Sequence, residues 1–85
     1  MILRLSLWSL VDAEATIDEL RTQHPPRTPG ATFETWFSDE ATDRWGSIAI
    51  FPDAESAGAP TPDLLWTLLQ KEPDVVELFD VETAP

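Results

Sequence analysis

Residues 28–53 of the chain read TPGATFETWFSDEATDRWGSIAIFPD. In residues 31–38, aromatic and β-branched side chains nearly alternate with the others, a pattern that favours a half-buried strand. Residues 45–51 form a second apolar run, which Pro52 ends. The polar segment 39–43 joins the two runs. The sequence therefore predicts an antiparallel hairpin here, at the centre of a sheet.

The composition limits both the size of the fold and its partners. A length of 85 residues fits a single domain spanning 1–85. The net charge of −11, with five scattered basic residues, argues against binding to nucleic acid or to an anionic membrane, because phosphate groups attract basic side chains. No apolar run approaches the length of a transmembrane helix, and Arg4 interrupts the only candidate for a signal peptide. The absence of cysteine fits a reducing compartment, so we expect a cytoplasmic protein.

Residues 1–10 alternate and predict a first strand with two different faces. One face is fully apolar and the other is mixed; the first carries Leu3, Leu5 and Leu7, and the second carries Arg4, Ser6 and Trp8. We expect the leucine face to pack against helices. The mixed face would then remain open.

The remaining elements complete a known pattern. Residues 11–24 predict a helix that Asp12 caps and two prolines end. A second helix is expected with Thr61 as its N-cap and Pro62 at its first position, with a leucine stripe and an end at Pro73. Residues 75–81 predict the last strand. The order β-α-β-β-α-β indicates an α+β, ferredoxin-like fold with a four-stranded antiparallel sheet and two helices on one face.

The uncovered face of such a sheet is a predicted interface. A bare, partly apolar sheet face on a small domain marks a binding surface. Two such faces closing on each other would bury it and would enclose a cavity between subunits. The sequence therefore predicts a homodimer through the open sheet faces, with a small-molecule ligand between them.

Several motifs resemble the YdhR-like mono-oxygenase family. They are Pro29-Gly30, a strand containing Trp36, the run GSIAIF at 46–51 followed by Asp53, and Phe79-Asp80-Val81. That family belongs to the dimeric α/β-barrel superfamily, alongside the antibiotic-biosynthesis mono-oxygenases, and the resemblance covers most of the chain. It implies a cofactor-independent oxygenation of a small aromatic or polyketide-like compound. This chain has Glu34 where the family tends to place a lysine.

Few residues in the chain are suited to catalysis. With one histidine and no cysteine, the sequence contains no metal-ligand spacing, no Ser-His-Asp set and no phosphate loop, so we expect no cofactor. A buried Glu34 could act as a base, and Arg4 could hold an enolate. The expected substrate-binding side chains lie on the same predicted face, near Ser47, Ala49 and Glu77; they are Ser6, Trp8, Trp36 and Phe79.

Simpler interpretations of the same residues stay open. Arg4 and Glu34 could form a structural or interface pair, and the aromatic residues could be packing. Trp66 could lie in the core or reach into the cavity, and His24 fits the surface of a helix end. The chain could then be a non-catalytic dimeric binding or accessory protein of the same fold. A third class is an acidic interaction protein that uses its surface charge on a basic partner.

Overall fold

The computed structural model describes residues 1–23 and 25–83, so His24 lies outside the described residues. Within them, four strands form one antiparallel sheet in the order β2-β3-β1-β4, which confirms the α+β, ferredoxin-like fold. The elements in chain order are β1 (Ile2–Ser9), α1 (Ile17–Gln23), β2 (Phe33–Asp39), β3 (Arg44–Phe51), the 3₁₀ turn η1 (Ser56–Gly58), α2 (Asp63–Leu69) and β4 (Val75–Asp80).

The β2–β3 hairpin forms as predicted, but its predicted place at the centre of the sheet is wrong: β2 is an edge strand, and β3 and β1 are the central pair. Its strands pair from Phe33 with Ile50 to Asp39 with Arg44. The connecting loop ends at Asp43, whose φ of 54° lies in the left-handed region that asparagine and aspartate tolerate better than most residues. Asp39 accepts hydrogen bonds from the Thr42 hydroxyl at 2.6 Å and from Arg44 Nη2 at 3.0 Å. These contacts hold the register at the closed end of the hairpin.

Helix α1 is shorter than the sequence indicated, and the predicted cap is wrong. The helix begins at Ile17, where the Glu19 N–H donates to the Thr16 hydroxyl at 3.2 Å. Asp12 instead lies in the preceding turn and pairs with Lys71 at 2.8 Å. The chain turns first because the Leu10 N–H donates to the Asp43 carbonyl, which ties the end of β1 to the hairpin loop.

Helix α2 begins at Asp63 with Pro62 at the N-cap, one residue later than expected, and it ends at Leu69, before the predicted stop at Pro73. Gln70 adopts the left-handed conformation with φ of 55°, and its N–H donates to the Trp66 carbonyl. This left-handed residue ends the helix, as is common at helix C-termini.

The helices cover the opposite face of the sheet from the one predicted. The strand register places Trp8 beside Trp45, and both pack with Leu20 and Leu65 in one buried cluster. Arg4, which shares that face, contacts η1 through its guanidinium. The expectation that Leu3, Leu5 and Leu7 meet the helices is therefore wrong. The physical reason is that tryptophans 8, 36 and 45 supply more area to bury than the leucines do.

The other side of the sheet has no covering layer among the described residues; we call it the open face. It follows from alternation along the paired strands. Its apolar side chains are Leu3, Leu5, Leu7, Phe33, Phe37, Ile48, Ile50, Val75 and Phe79. Phe33 and Phe79 remain about half exposed. The protein therefore has one sheet face that packs on helices and one apolar face toward the outside.

Candidate functional site

A cavity of about 320 Å³ lies between the sheet and the segments that cover it. Strands β1, β2 and β3 supply its floor, and the segment after η1 and strand β4 supply its walls. Its lining includes Arg4, Ser6, Trp8, Thr28, Glu34, Trp36, Ser47, residues 57–62, Glu72, Pro73, Val76 and Leu78. The volume is at the lower end of the range for small-molecule sites, which suits a compound of one or two rings.

Tryptophans form one side of this cavity. The rings of Trp8 and Trp36 lie 6.4 Å apart between centroids and tilt by 33°. Trp36 also stacks on Trp45 at 6.1 Å, with an interplanar angle of 15°. The Trp8 indole N–H donates to the Lys71 carbonyl at 3.4 Å. Because Trp45 is packed in the core, the stack holds Trp36 in place at the cavity wall.

Arg4 is the one cation that lines the cavity in the described part of the chain, and it is only 9% exposed. Its Nη1 donates to the carbonyl oxygens of Ala57 at 2.9 Å and Ala59 at 2.6 Å. The guanidinium carbon lies 4.8 Å from the centre of the Phe51 ring. Burial lowers the pKa of Arg4, and the nearby carboxylate of Glu34 opposes that shift. Arg4 thus anchors the cavity wall after η1.

Arg4 Nε has no hydrogen-bond partner among the described residues, although it is buried. Buried donors in native proteins are nearly always paired, because an unpaired donor loses its hydration without compensation. The indole N–H of Trp45, in the core cluster, is the other buried side-chain donor without a partner among the described residues.

Glu34 accepts three hydrogen bonds. The Thr28 N–H donates to its Oε1 at 2.7 Å, the Thr28 hydroxyl donates to Oε2 at 3.0 Å, and the Ser47 hydroxyl donates to Oε2 at 2.8 Å. Thr28 opens a turn that Pro29 and Gly30 complete, where Gly30 has φ of +88°. Glu34 therefore ties the linker before β2 to the sheet, which leaves little of its carboxylate free for a substrate.

The structure brings five of the six predicted site residues to one cavity: Arg4, Ser6, Trp8, Glu34 and Trp36. It separates the sixth, Phe79, because Phe79 pairs with Leu3 and shares the open face. Glu77 lies there too. Trp66 is 46% exposed and does not line the cavity. The five residues face the interior of one protomer, whereas the sequence had predicted them on an open face between subunits.

Sequence reasoning missed the other walls of the cavity. The sequence had placed Phe79 on the same face as Arg4. In the structure Leu78 pairs with Arg4 instead, so Val76 and Leu78, on the opposite side of β4 from Phe79, line the cavity. Thr28 was hidden in the proline-rich linker. The one signal for it was its position just before the Pro29-Gly30 turn, six residues from Glu34.

Comparison of the chain with models of known protein families and with curated proteins finds no match. Within residues 1–23 and 25–83, no three histidine, cysteine or carboxylate side chains are grouped as a metal ion would need. None of the helices in these ranges is long and apolar enough to span a membrane.

Proposed function

We propose that this protein binds a small aromatic compound in the cavity between its sheet and its helices. One observation carries the proposal: Trp8 and Trp36 wall a cavity whose lining also carries the polar side chains of Arg4 and Ser6. Indole faces favour flat aromatic partners, and a few fixed polar groups orient them, which is the usual design of a small-molecule site. The compound class agrees with the resemblance to the YdhR-like mono-oxygenases.

The test is a titration with naphthalene-based compounds, monitored through the indole ¹⁵N–¹H NMR signals of the four tryptophans. We expect the signals of Trp8 and Trp36 to shift, because both rings line the cavity. The signal of Trp66 provides the control, since that side chain lies outside the cavity. Shifts of equal size at all four indoles, or at none of them, would contradict binding at this site.

A second candidate is cofactor-independent oxygenation in the same cavity. It is favoured by Arg4, which could stabilise an enolate, and by Glu34 in the same pocket, whose carboxylate would have to give up one of its three hydrogen bonds to accept a proton. An activated ring CH₂ would lose its protons and four electrons to O₂, which leaves one oxygen atom in a new carbonyl and one in water.

An oxygen electrode tests this candidate with an anthrone-type ring ketone as substrate. We expect O₂ consumption that requires the protein and that falls at least ten-fold in Glu34→Gln. Binding without O₂ consumption would leave the chain a binding or accessory protein. The absence of cysteine supports a cytoplasmic setting for either activity.

We also propose that the open face is covered by a second copy of this chain. Eight of its nine apolar side chains are at least partly exposed, Phe33 by 47% and Phe79 by 48%, and a contiguous apolar patch of this kind marks an interaction surface. Sedimentation equilibrium tests the proposal. Phe79→Glu should yield monomer, whereas the adjacent Leu78→Glu, which points to the cavity side, should stay dimeric. A wild-type monomer at about 100 μM, well above the dissociation constant of a stable interface, would contradict the proposal.

A further inference from the structure

Strand β4 is an edge of the sheet, and one side of its backbone has no partner among the described residues. The sheet order places β1 on its inner side and no described strand beyond it. The Val81 N–H donates to the Met1 carbonyl at 3.1 Å, so the alternation of an antiparallel ladder turns the odd-numbered residues of β4 toward β1. Val76, Leu78 and Asp80 therefore direct their N–H and C=O groups outward.

The side chains of β4 are exposed on both faces of the sheet. On the cavity side, Val76 is 52% and Leu78 is 53% exposed. The strand contains neither proline nor lysine, two residues that commonly keep an edge strand from pairing. The opposite edge differs, because Arg21 of α1 donates to the Ser38 hydroxyl of β2 at 3.3 Å. Strand β4 is thus the edge that can accept a further strand.

Carboxylates line this edge. Residues 72–82 contain no basic residue and five carboxylates, Glu72, Asp74, Glu77, Asp80 and Glu82. Of these five, only Asp74 has a salt-bridge partner in the described part of the chain, which is Lys71 at 2.9 Å. Paired strands lie about 4.8 Å apart, so an added strand brings its side chains close to these charges.

The charge determines which strand can pair here. A second copy of this chain would bring the same five carboxylates to the seam, and like charges opposite each other destabilise a strand pair. A basic segment has the opposite effect. Lysine or arginine opposite Glu77 and Asp80 would pair with their carboxylates, and β-branched residues opposite Val76 and Leu78 would cover apolar surface.

We propose that β4 binds an extended basic segment of another protein, which joins the sheet as a fifth strand. Strand addition of this kind takes its affinity from main-chain hydrogen bonds and its specificity from alternate side chains. The segment lies in the plane of the sheet, so it neither fills the cavity nor covers the open face. The inference is therefore independent of the proposed function.

The experiment adds three synthetic peptides to the full chain at low ionic strength: KIVKVTK, EIVEVTE and KGGKGGK. The first has the proposed pattern, the second reverses its charges, and the third keeps three lysines without strand-forming side chains. Backbone ¹⁵N–¹H NMR signals give the affinities. We expect KIVKVTK to bind more tightly than either other peptide by about ten-fold or more, because cross-strand charge pairs and apolar pairs both contribute to strand pairing.

Amide hydrogen exchange locates the bound peptide. The outward N–H groups of Val76 and Leu78 should exchange about five-fold more slowly near saturation with KIVKVTK. Those of Glu77 and Phe79 bond to β1 and should be protected already in the free protein. Unchanged exchange at Val76 and Leu78, or equal binding of KGGKGGK, would overturn strand addition. Protection of the outward amides that grows with protein concentration alone would assign the edge to a second copy and would also overturn the proposal.

Charge reversal tests the chemistry of the partner. Glu77→Lys combined with Asp80→Lys should reduce the preference for KIVKVTK over EIVEVTE by about five-fold or more. Glu19→Lys combined with Glu40→Lys makes the same change in net charge near the opposite edge of the sheet, where Arg21 joins Glu40 and β2, and should keep the wild-type preference. Equal preferences in the two double variants contradict the proposal. So does the absence of any NMR shift with KIVKVTK at about 1 mM.

Discussion

The two faces of the sheet are both apolar, yet only one of them is covered. The covered face carries three tryptophans, Phe51 and the helices, together with buried polar groups on Arg4, Ser6 and Ser47. The open face carries leucines, isoleucines and phenylalanines, and it has no covering layer among the described residues. The face with more polar residues is thus the inner one.

This difference shows that polarity along a strand does not identify the solvent side. Arg4 and Ser47 can be buried because each has a partner: Arg4 bonds the carbonyls of the η1 segment, and Ser47 bonds Glu34. A satisfied polar group is inexpensive to bury, whereas large aromatic rings gain most from burial. The covered face therefore combines the largest apolar area with polar groups most of which find partners; Arg4 Nε and Trp45 Nε1 are the buried side-chain atoms without one among the described residues.

The largest change in stability is expected when leucine is replaced by alanine under the covered face, compared with the same replacement on the open face. Leu20→Ala should lower the free energy of unfolding by about 2–5 kcal/mol, because Leu20 is fully buried under the covered face. Leu5→Ala, on the open face, should cost less than about 1.5 kcal/mol in dilute protein, since only part of its side chain leaves water on folding. Urea unfolding at micromolar concentration measures both values.

The Leu20→Ala and Leu5→Ala variants also test whether the open face is an interface. If a second copy covers that face, the cost of Leu5→Ala should grow with protein concentration, while the cost of Leu20→Ala should not. Equal losses of unfolding free energy for the two variants in dilute protein would mean that the two faces do not differ in burial, which contradicts the assignment of a covered and an open face.

A second prediction concerns close packing within the open face. Gly46 pairs with Leu7 and Phe37, and an added Cβ would lie 2.8 Å from Leu7 and closer still to the Phe37 ring. Gly46→Ala should therefore destabilise the protein by about 1–3 kcal/mol through overpacking. Gly58→Ala is the control, because an added Cβ there meets nothing within 4 Å.

The double variant Gly46→Ala with Phe37→Leu tests the cause. Removing the ring should recover part of the loss if the clash with Phe37 is responsible. A Gly46→Ala variant as stable as wild type in thermal unfolding would show that Phe37 moves away freely. The open face would then be loosely packed as well as uncovered.

Much of the fold could be predicted because its signals are local. The hairpin, the final strand and the start of α2 after Pro62 follow from alternation and from proline positions that tertiary contacts did not override. Helix α1 was predicted six residues too early, because Asp12 is a good cap in isolation but pairs with Lys71 in the fold. That partner lies 59 residues away and leaves no local sign.

The choice of face was beyond prediction from alternation. Strand β1 alternates between two sets that can both be buried, and only contacts with distant helices decide between them. The error affected the site as well: it grouped Phe79 with Arg4 instead of Leu78, which pairs with Arg4. The five correctly grouped residues lie on β1 and β2, where side-chain alternation alone placed them.

A third prediction, with a smaller expected effect, concerns the polar side chain of Glu34 on the covered face. Glu34→Gln keeps the shape of the side chain but points an amide at donors from Thr28 and Ser47. We expect a loss of about 1–3 kcal/mol in the free energy of unfolding, since at least one buried donor loses its acceptor. Glu82→Gln, at an exposed position, is the control. Equal urea midpoints for the two variants would show that Glu34 does not hold the linker.

The smallest change in stability is expected at the edge strand β4, whose side chains are exposed on both faces of the sheet within the protomer. Asp74, just before this strand, accepts a hydrogen bond from the Ser9 N–H at 2.7 Å and pairs with Lys71 at 2.9 Å. The backbone hydrogen bond from Ser9, and then the Lys71 ammonium, lower the pKa of Asp74. Because the folded pKa is lower than the unfolded value of about 3.9, the ionised group stabilises the fold above that pH.

That stabilisation should disappear as the pH falls through the folded pKa, and Asp74→Asn should remove it at neutral pH. Since Asp74 is 46% exposed, solvent screening limits the effect to less than about 1 kcal/mol. Urea unfolding between pH 2.5 and 7 should give a flatter acid limb for Asp74→Asn than for wild type. Asp80→Asn, at the other end of β4, serves as the control. Identical acid limbs for wild type and Asp74→Asn would mean that pairing with β1 alone holds β4 in the sheet. A loss of unfolding free energy well above 1 kcal/mol in Asp74→Asn would mean that Asp74 is more buried than it is within the protomer.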